Sequence, residues 1–190
     1  MEAGPDEYAA GEFGSWLSAF RASLHDGDPA GVPCDGCTAC CRSGKLIPVE
    51  PDEADALAHI AADCLVLLKG GPGEPARRVL RHDESGRCSQ LTPEGCSVYA
   101  NRPRACRMYD CRIFPAAGVR ADSPLIAERA QRWRFSYASD DSRERHAAVR
   151  MAAVALGFPG GLSSPVSPTQ HAVDAIEGSD ELGGDSATPT

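Results

Sequence analysis

Eight of the nine cysteines fall into two groups, and metal is the chemistry they suit best. Cys34, Cys37, Cys40 and Cys41 are spaced C-x2-C-x2-C-C; Cys88, Cys96, Cys106 and Cys111 follow further along. Thiolate is the form of cysteine that binds soft and borderline metals. A C-x2-C spacing lets one tight turn bring two sulfurs to about 2.3 Å from a zinc ion. The ordinary alternative is a set of buried free thiols, but those are normally scattered rather than clustered. Cys40 and Cys41 do not easily serve one ion, because neighbouring side chains diverge. The pair therefore feeds two metals, or one of them is a ligand and the other a spare. Eight thiols allow two four-thiolate sites, or one cluster with the remaining thiols left for redox chemistry. The spacing is neither the bacterial ferredoxin run nor the two clean C-x2-C pairs of a zinc ribbon. Zinc and iron–sulfur both stay open on spacing alone.

Other residues support or limit this reading. Arg42, Arg87, Arg104, Arg107 and Arg112 each lie within two residues of a clustered cysteine, and Arg102 lies four before Cys106. Guanidinium groups there offset the excess negative charge of a thiolate-bound metal and donate hydrogen bonds to sulfur. The alternatives are ordinary surface arginines or a hold on an anionic substrate. Cys64 is expected to be a buried, inert thiol. The histidines, His25, His59, His82, His146 and His171, are scattered, and His82 is the one retained as a possible ligand. Tyr99 and Tyr109 are expected to pack rather than to catalyse. No P-loop, G-x-G-x-x-G or H-E-x-x-H is present.

The elements that must position these residues can be read in outline. Phe13, Trp16, Leu17, Phe20 and Leu24 form a helical stripe, and Asp26-Gly27-Asp28-Pro29 ends it. Gly36 and Gly44 let the first cysteine loop curl. Lys45 to Val49 reads as a short edge strand because of Pro48. Glu50-Pro51-Asp52-Glu53 opens a helix whose apolar face runs through Leu57, Ile60, Cys64 and Leu68. Arg77 to His82 and Arg87 to Leu91 read as a hairpin around Asp83-Glu84-Ser85-Gly86. Thr92-Pro93-Glu94-Gly95 then turns the chain to Cys96, and Arg102-Pro103 stops a helical turn after Tyr99. Ser123-Pro124 starts a helix expected to carry Ile126, Ala130, Trp133 and Tyr137 on one face. Asp141 and Glu144 resemble a capping box for a helix that ends at Gly157 and Pro159. From Gly160 onward few large apolar residues remain, so disorder is expected.

Composition sets outer bounds. The net charge is −8, with −5 in residues 1–33, −5 in residues 157–190 and +2 between them. A middle so weakly basic does not predict nucleic-acid binding. The start, Met1-Glu2-Ala3-Gly4-Pro5-Asp6, shows no basic and apolar leader, and no run approaches the ~18 apolar residues of a membrane span. A cytoplasmic protein is therefore expected, with its thiols reduced and no membrane partner.

The motif Cys34-x2-Cys37-x2-Cys40-Cys41, followed by Cys88-Ser89-Gln90-Leu91, Cys96-Ser97-Val98-Tyr99-Ala100-Asn101-Arg102-Pro103, Cys106-Arg107 and Cys111, resembles the YkgJ-type cysteine-cluster family. That family is also called the CxxCxxCC, zinc- or iron-chelating family. The likeness spans about residues 34–115. It implies a small metal-chelating domain of eight cysteines whose biochemical role is generally unassigned. A flagellin lysine methylase family has a similar cysteine cluster, which implies iron–sulfur chemistry in some relatives; this chain is too short for that enzyme's architecture.

The expected fold class is α+β: a small metal-stapled cysteine-rich domain with short strands, flanked by helices, and a disordered acidic C-terminal tail. The expected boundaries are an N-terminal helical extension at 1–33, the cysteine domain at 34–115, packing helices at 116–158 and the tail at 159–190. The first functional reading is metal binding by Cys34, Cys37, Cys40, Cys41, Cys88, Cys96, Cys106 and Cys111, with zinc or iron, including a 4Fe-4S cluster, as cofactor. The second is a metal-dependent enzyme acting on a peptide or protein. The third is an interaction module with metal as scaffold. The sequence names no protein partner.

Overall fold

A computed structural model describes residues 7–26, 31–34, 36–71, 73, 75–157 and 167–183. In chain order the elements are β1 (Tyr8–Glu12), α1 (Phe13–Asp26), α2 (Ala54–His59), β2 (Leu65–Leu68), β3 (Arg77–Leu80), β4 (Leu91–Thr92), β5 (Gly95–Cys96), α3 (Arg104–Met108), α4 (Ile113–Ala117), α5 (Pro124–Gln131), β6 (Trp133–Ser136), α6 (Asp140–Gly157) and α7 (Pro168–Gly183). The fold is mixed α+β with short strands in two-stranded sheets. The chain divides into two compact units. One comprises Met1–Asp26 with Asp110–Thr190, and the other is Gly27–Tyr109.

The first unit is built on α1. Phe13, Trp16, Leu17 and Phe20 are buried, as the helical stripe requires. The Phe13 ring stacks on His146 at 4.2 Å and meets Phe135 edge-on at 5.1 Å. Glu12 starts the helix. Its carboxylate accepts the N–H groups of Gly14 at 3.0 Å and Ser15 at 2.7 Å, and the Ser142 hydroxyl donates to it as well. These bonds satisfy donors that a helix start leaves open. The Ser142 hydroxyl foremost, then the Ser15 and Gly14 N–H groups, pull the Glu12 carboxyl down to about 2.

β1 pairs in parallel with β6, Tyr8 opposite Trp133 and Glu12 opposite Ser136, with a bulge between Ala9 and Gly11. The expected helix from Ser123 to Tyr137 is therefore cut short: α5 ends at Gln131 and Trp133–Ser136 is strand. Trp133 and Phe135 are aromatic strand formers, and β1 offers them a pairing edge. Asp110 and Arg112 form a buried ion pair at 2.8 Å, their side chains 0% and 7% exposed. The Trp16 indole N–H donates to Asp110 at 2.8 Å and Arg112 donates to the Ala10 carbonyl at 3.1 Å. A buried pair is tolerated only when its remaining polar atoms are bonded in this way.

α6 and α7 pack on one another through small residues. Val149, Ala152 and Ala153 are buried on α6, and Ala172, Ala175 and Ile176 on α7. The α6 start is capped by the Ser139 hydroxyl, which accepts the Ser142 N–H at 3.2 Å, instead of by Asp141. α7 lies inside the stretch expected to be disordered. Alanines at i and i+3 with Ile176 between the turns allow two helix backbones to approach closely, so little bulky apolar surface is needed. Residues 159–166 and 184–190, the rest of that expected tail, lie outside the described residues.

The second unit has a small apolar core of Val49, Ala56, Ile60, Leu80, Cys88 and Val98, with Cys41, Cys64, Leu65 and Cys96 packed against it. The helix expected from Glu50 to Leu68 breaks after His59, and Leu65–Leu68 leaves as strand β2. Its run Leu-Val-Leu-Leu pairs antiparallel with β3, Leu65 opposite Leu80 and Leu68 opposite Arg77. The expected Lys45 to Val49 strand is reduced to a bridge of Pro48 with Val79, flanked by bonds from Val49 N to Arg78 O at 3.0 Å and from Leu80 N to Ile47 O at 2.9 Å. Proline has no N–H to lend to a longer ladder.

Candidate metal centre

Seven of the eight clustered cysteines belong to the 27–109 unit; Cys111 belongs to the other. Local turns present the first group. The Cys37 N–H donates to the Cys34 carbonyl at 2.8 Å, closing a tight turn in which Gly36 has φ of +73°. Cys40–Arg42 is a single 3-10 turn, ended where Ser43 donates N–H and hydroxyl to the Cys40 carbonyl at 3.3 and 2.9 Å.

The second group arrives on three supports. His82 bridges Cys88 antiparallel across the turn Asp83-Glu84-Ser85-Gly86. The Asp83 carboxylate holds that turn, accepting from Ser85 N–H at 2.9 Å, Ser85 hydroxyl at 2.6 Å and Arg87 N–H at 3.0 Å. The β4–β5 hairpin places Cys96 opposite Leu91. Cys106 rides on α3, whose first N–H, that of Arg104, donates to the Glu53 carboxylate; Glu53 also accepts the Glu50 N–H at 2.8 Å. Glu53 is buried, so this carboxylate ties α3 to the start of α2 from inside the unit.

Two backbone contacts bring the groups together. The Cys88 N–H donates to the Cys41 carbonyl at 2.7 Å, and the Gly44 N–H to the Gly86 carbonyl at 3.0 Å. Gly86 and Gly44 both have positive φ, and a Cβ on Gly86 would lie 3.1 Å from the Gly44 Cα. Only glycine lets the main chains touch so closely.

The sulfurs feel one another across this junction. Burial first, and then the charges of Cys88, Cys96, Cys37 and Cys34, push the Cys41 thiol up to about 11. Burial and the charges of Cys41, Cys88 and Cys96 push Cys106 up to about 12, opposed by Arg102. Cys88 is raised by burial against a hydrogen bond from the Gln90 N–H, with Cys96 and Cys64 adding to the rise. Among the described residues no three His, Cys, Asp or Glu side chains already stand together as a ready-made ion site. The donor set nevertheless has the chemistry of one: soft ligands from both groups, in a partly buried place where a cation would relieve their mutual repulsion.

The arginines have assorted partners. Arg104 pairs with Asp52 at 2.7 Å. Arg87 donates to the Leu91 carbonyl at 2.8 Å, Arg107 to the Arg102 carbonyl at 2.8 Å and Arg102 to the Tyr99 carbonyl at 2.7 Å, while the Arg102 guanidinium also covers the Tyr99 ring at 4.1 Å. Arg112 belongs to the buried pair in the first unit. In that same unit the Trp133 indole N–H lies 3.1 Å from the buried Cys111 sulfur. Cys64, read as inert, packs against the core beside Cys88. Glu53, Asp83 and the Gly44–Gly86 contact were not singled out from sequence as shaping the centre. The Asp-x-x-Gly turn signal was visible; the long-range roles of Glu53 and the glycines left no local pattern.

No helix among the described residues is long and apolar enough to cross a membrane. Searches of curated proteins and of solved structures found no match. A family model described as "CxxCxxCC: Putative zinc- or iron-chelating domain" matches residues 33–132, which include both cysteine groups. The chain belongs to the CxxCxxCC family of zinc- or iron-chelating domains.

Proposed function

We propose that the 27–109 unit chelates zinc or iron through the thiolates of Cys34, Cys37, Cys41, Cys88, Cys96 and Cys106, with Cys40 as the neighbouring reserve, and that the metal staples the unit. The observation that carries this reading is the junction of the two groups, where the Cys88 N–H donates to the Cys41 carbonyl at 2.7 Å and the Gly44 N–H to the Gly86 carbonyl at 3.0 Å. The core of this unit is small, and Cys88 is itself one of its buried members. A structural metal supplies what so few apolar side chains cannot. Bound metal would hold thiolates in place of thiols, so loading releases protons and affinity rises with pH. Cys111 lies in the other unit and is not used here.

The test is anaerobic purification with metal and sulfide quantification, followed by chelation. Stoichiometric zinc or iron, together with loss of the unit's circular dichroism on chelation, is expected. Labile sulfide with visible absorption identifies an iron–sulfur cluster; its absence with bound zinc identifies a thiolate site. A chain that carries no metal and keeps its fold in chelator overturns the reading.

A further inference from the structure

His82 has a ring nitrogen that the thiol arrangement leaves unexplained. Its Nδ1 lies 3.1 Å from the Leu80 carbonyl oxygen. A carbonyl only accepts, so Nδ1 carries the proton and the lone pair sits on Nε2. That Nε2 is buried and has no hydrogen-bond partner among the described residues. His82 and Cys88 are antiparallel bridge partners. Directly opposed residues send their side chains to the same face, with Cβ atoms roughly 5 Å apart. Leu80, two residues before His82, shares that face and packs in the core that contains Cys88. An imidazole that donates Nδ1–H to a backbone carbonyl while Nε2 stays open is arranged as metal-bound histidines are.

We propose that His82 Nε2 is a ligand of the metal that Cys88 binds, so that the centre is a mixed nitrogen–sulfur site and not an all-sulfur one. This rests on the thiol chelation proposed above and goes beyond its ligand list. A neutral imidazole in place of a fourth thiolate lowers the negative charge of the site by one, which suits a partly buried position. It also gives the Asp83 turn a purpose, since that turn sets how His82 faces Cys88.

The full chain is loaded with zinc, and separately with cobalt(II), and examined by X-ray absorption. His82→Ala and His82→Gln are compared with wild type, and the exposed His59→Ala serves as control. A nitrogen scatterer with the outer-shell pattern of imidazole is expected in wild type and in His59→Ala. It should vanish in both His82 variants, with metal affinity at least tenfold weaker. Sulfur-only scattering in wild type overturns the His82 assignment and leaves the thiol reading standing. A wild-type chain that binds neither metal overturns the thiol reading itself. The wild-type spectrum decides the ligand even if a variant fails to fold.

Discussion

A side chain at Gly86 has nowhere to go. Its Cβ would press on the Gly44 main chain at 3.1 Å to Cα and 3.2 Å to N, and φ is already +81°. Gly86→Ala is expected to cost about 1–3 kcal/mol in the 27–109 unit, the usual scale of backbone strain of this kind. Urea titration measures that cost, and metal affinity should fall with it because the two cysteine loops meet here. Glu12 gives a residue-scale prediction for the other unit. Its folded pKa is depressed to about 2 from an ordinary 4.5, so its contribution is present above pH 4.5 and is lost as pH falls toward 2. His146, also lowered by burial, contributes above its ordinary 6.5 and loses that contribution at milder acidity. Glu12→Gln should remove only the lower step, read by aromatic circular dichroism against pH.

At the scale of elements, α7 is the test of small-residue packing. Ile176 is fully buried among alanines, and Ile176→Ala should cost about 2–5 kcal/mol, measured by thermal melting. The Asp83 turn is the corresponding test near the thiols. Asp83→Ala removes three hydrogen bonds made by one carboxylate. It should weaken metal binding severalfold while the first unit melts unchanged. These elements were unequally legible in the sequence. α1 was readable because its buried residues are large and helically spaced. α7 was not, because what it buries is mostly alanine, which composition does not distinguish from linker. β6 was hidden because Trp133 also fits the helical spacing from Ile126, and only pairing with β1 decides between the two periods. The cysteine spacing announced the chemistry, but the junction that joins the groups depends on a glycine contact 42 residues apart in sequence, a separation at which no local pattern survives.

At the scale of the whole molecule the two units should respond separately. Both tryptophans, Trp16 and Trp133, lie in the first unit. Chelation is expected to change far-ultraviolet circular dichroism and leave tryptophan emission as it was. A change in emission would bring Cys111, which meets the Trp133 indole, into the ligand set. Zinc titration of the metal-free chain in buffers of different ionisation heat should show proton release of roughly one per bound thiol.

The parallel pairing of β1 with β6 joins residues on either side of the whole cysteine-bearing segment. During synthesis the ribosome therefore delivers that segment entire before β1 has a strand to meet. The aromatic face of α1 must wait uncovered through that interval. The inserted segment has the first opportunity to mature, and metal supply at that moment would decide whether it has done so before β1 and β6 pair.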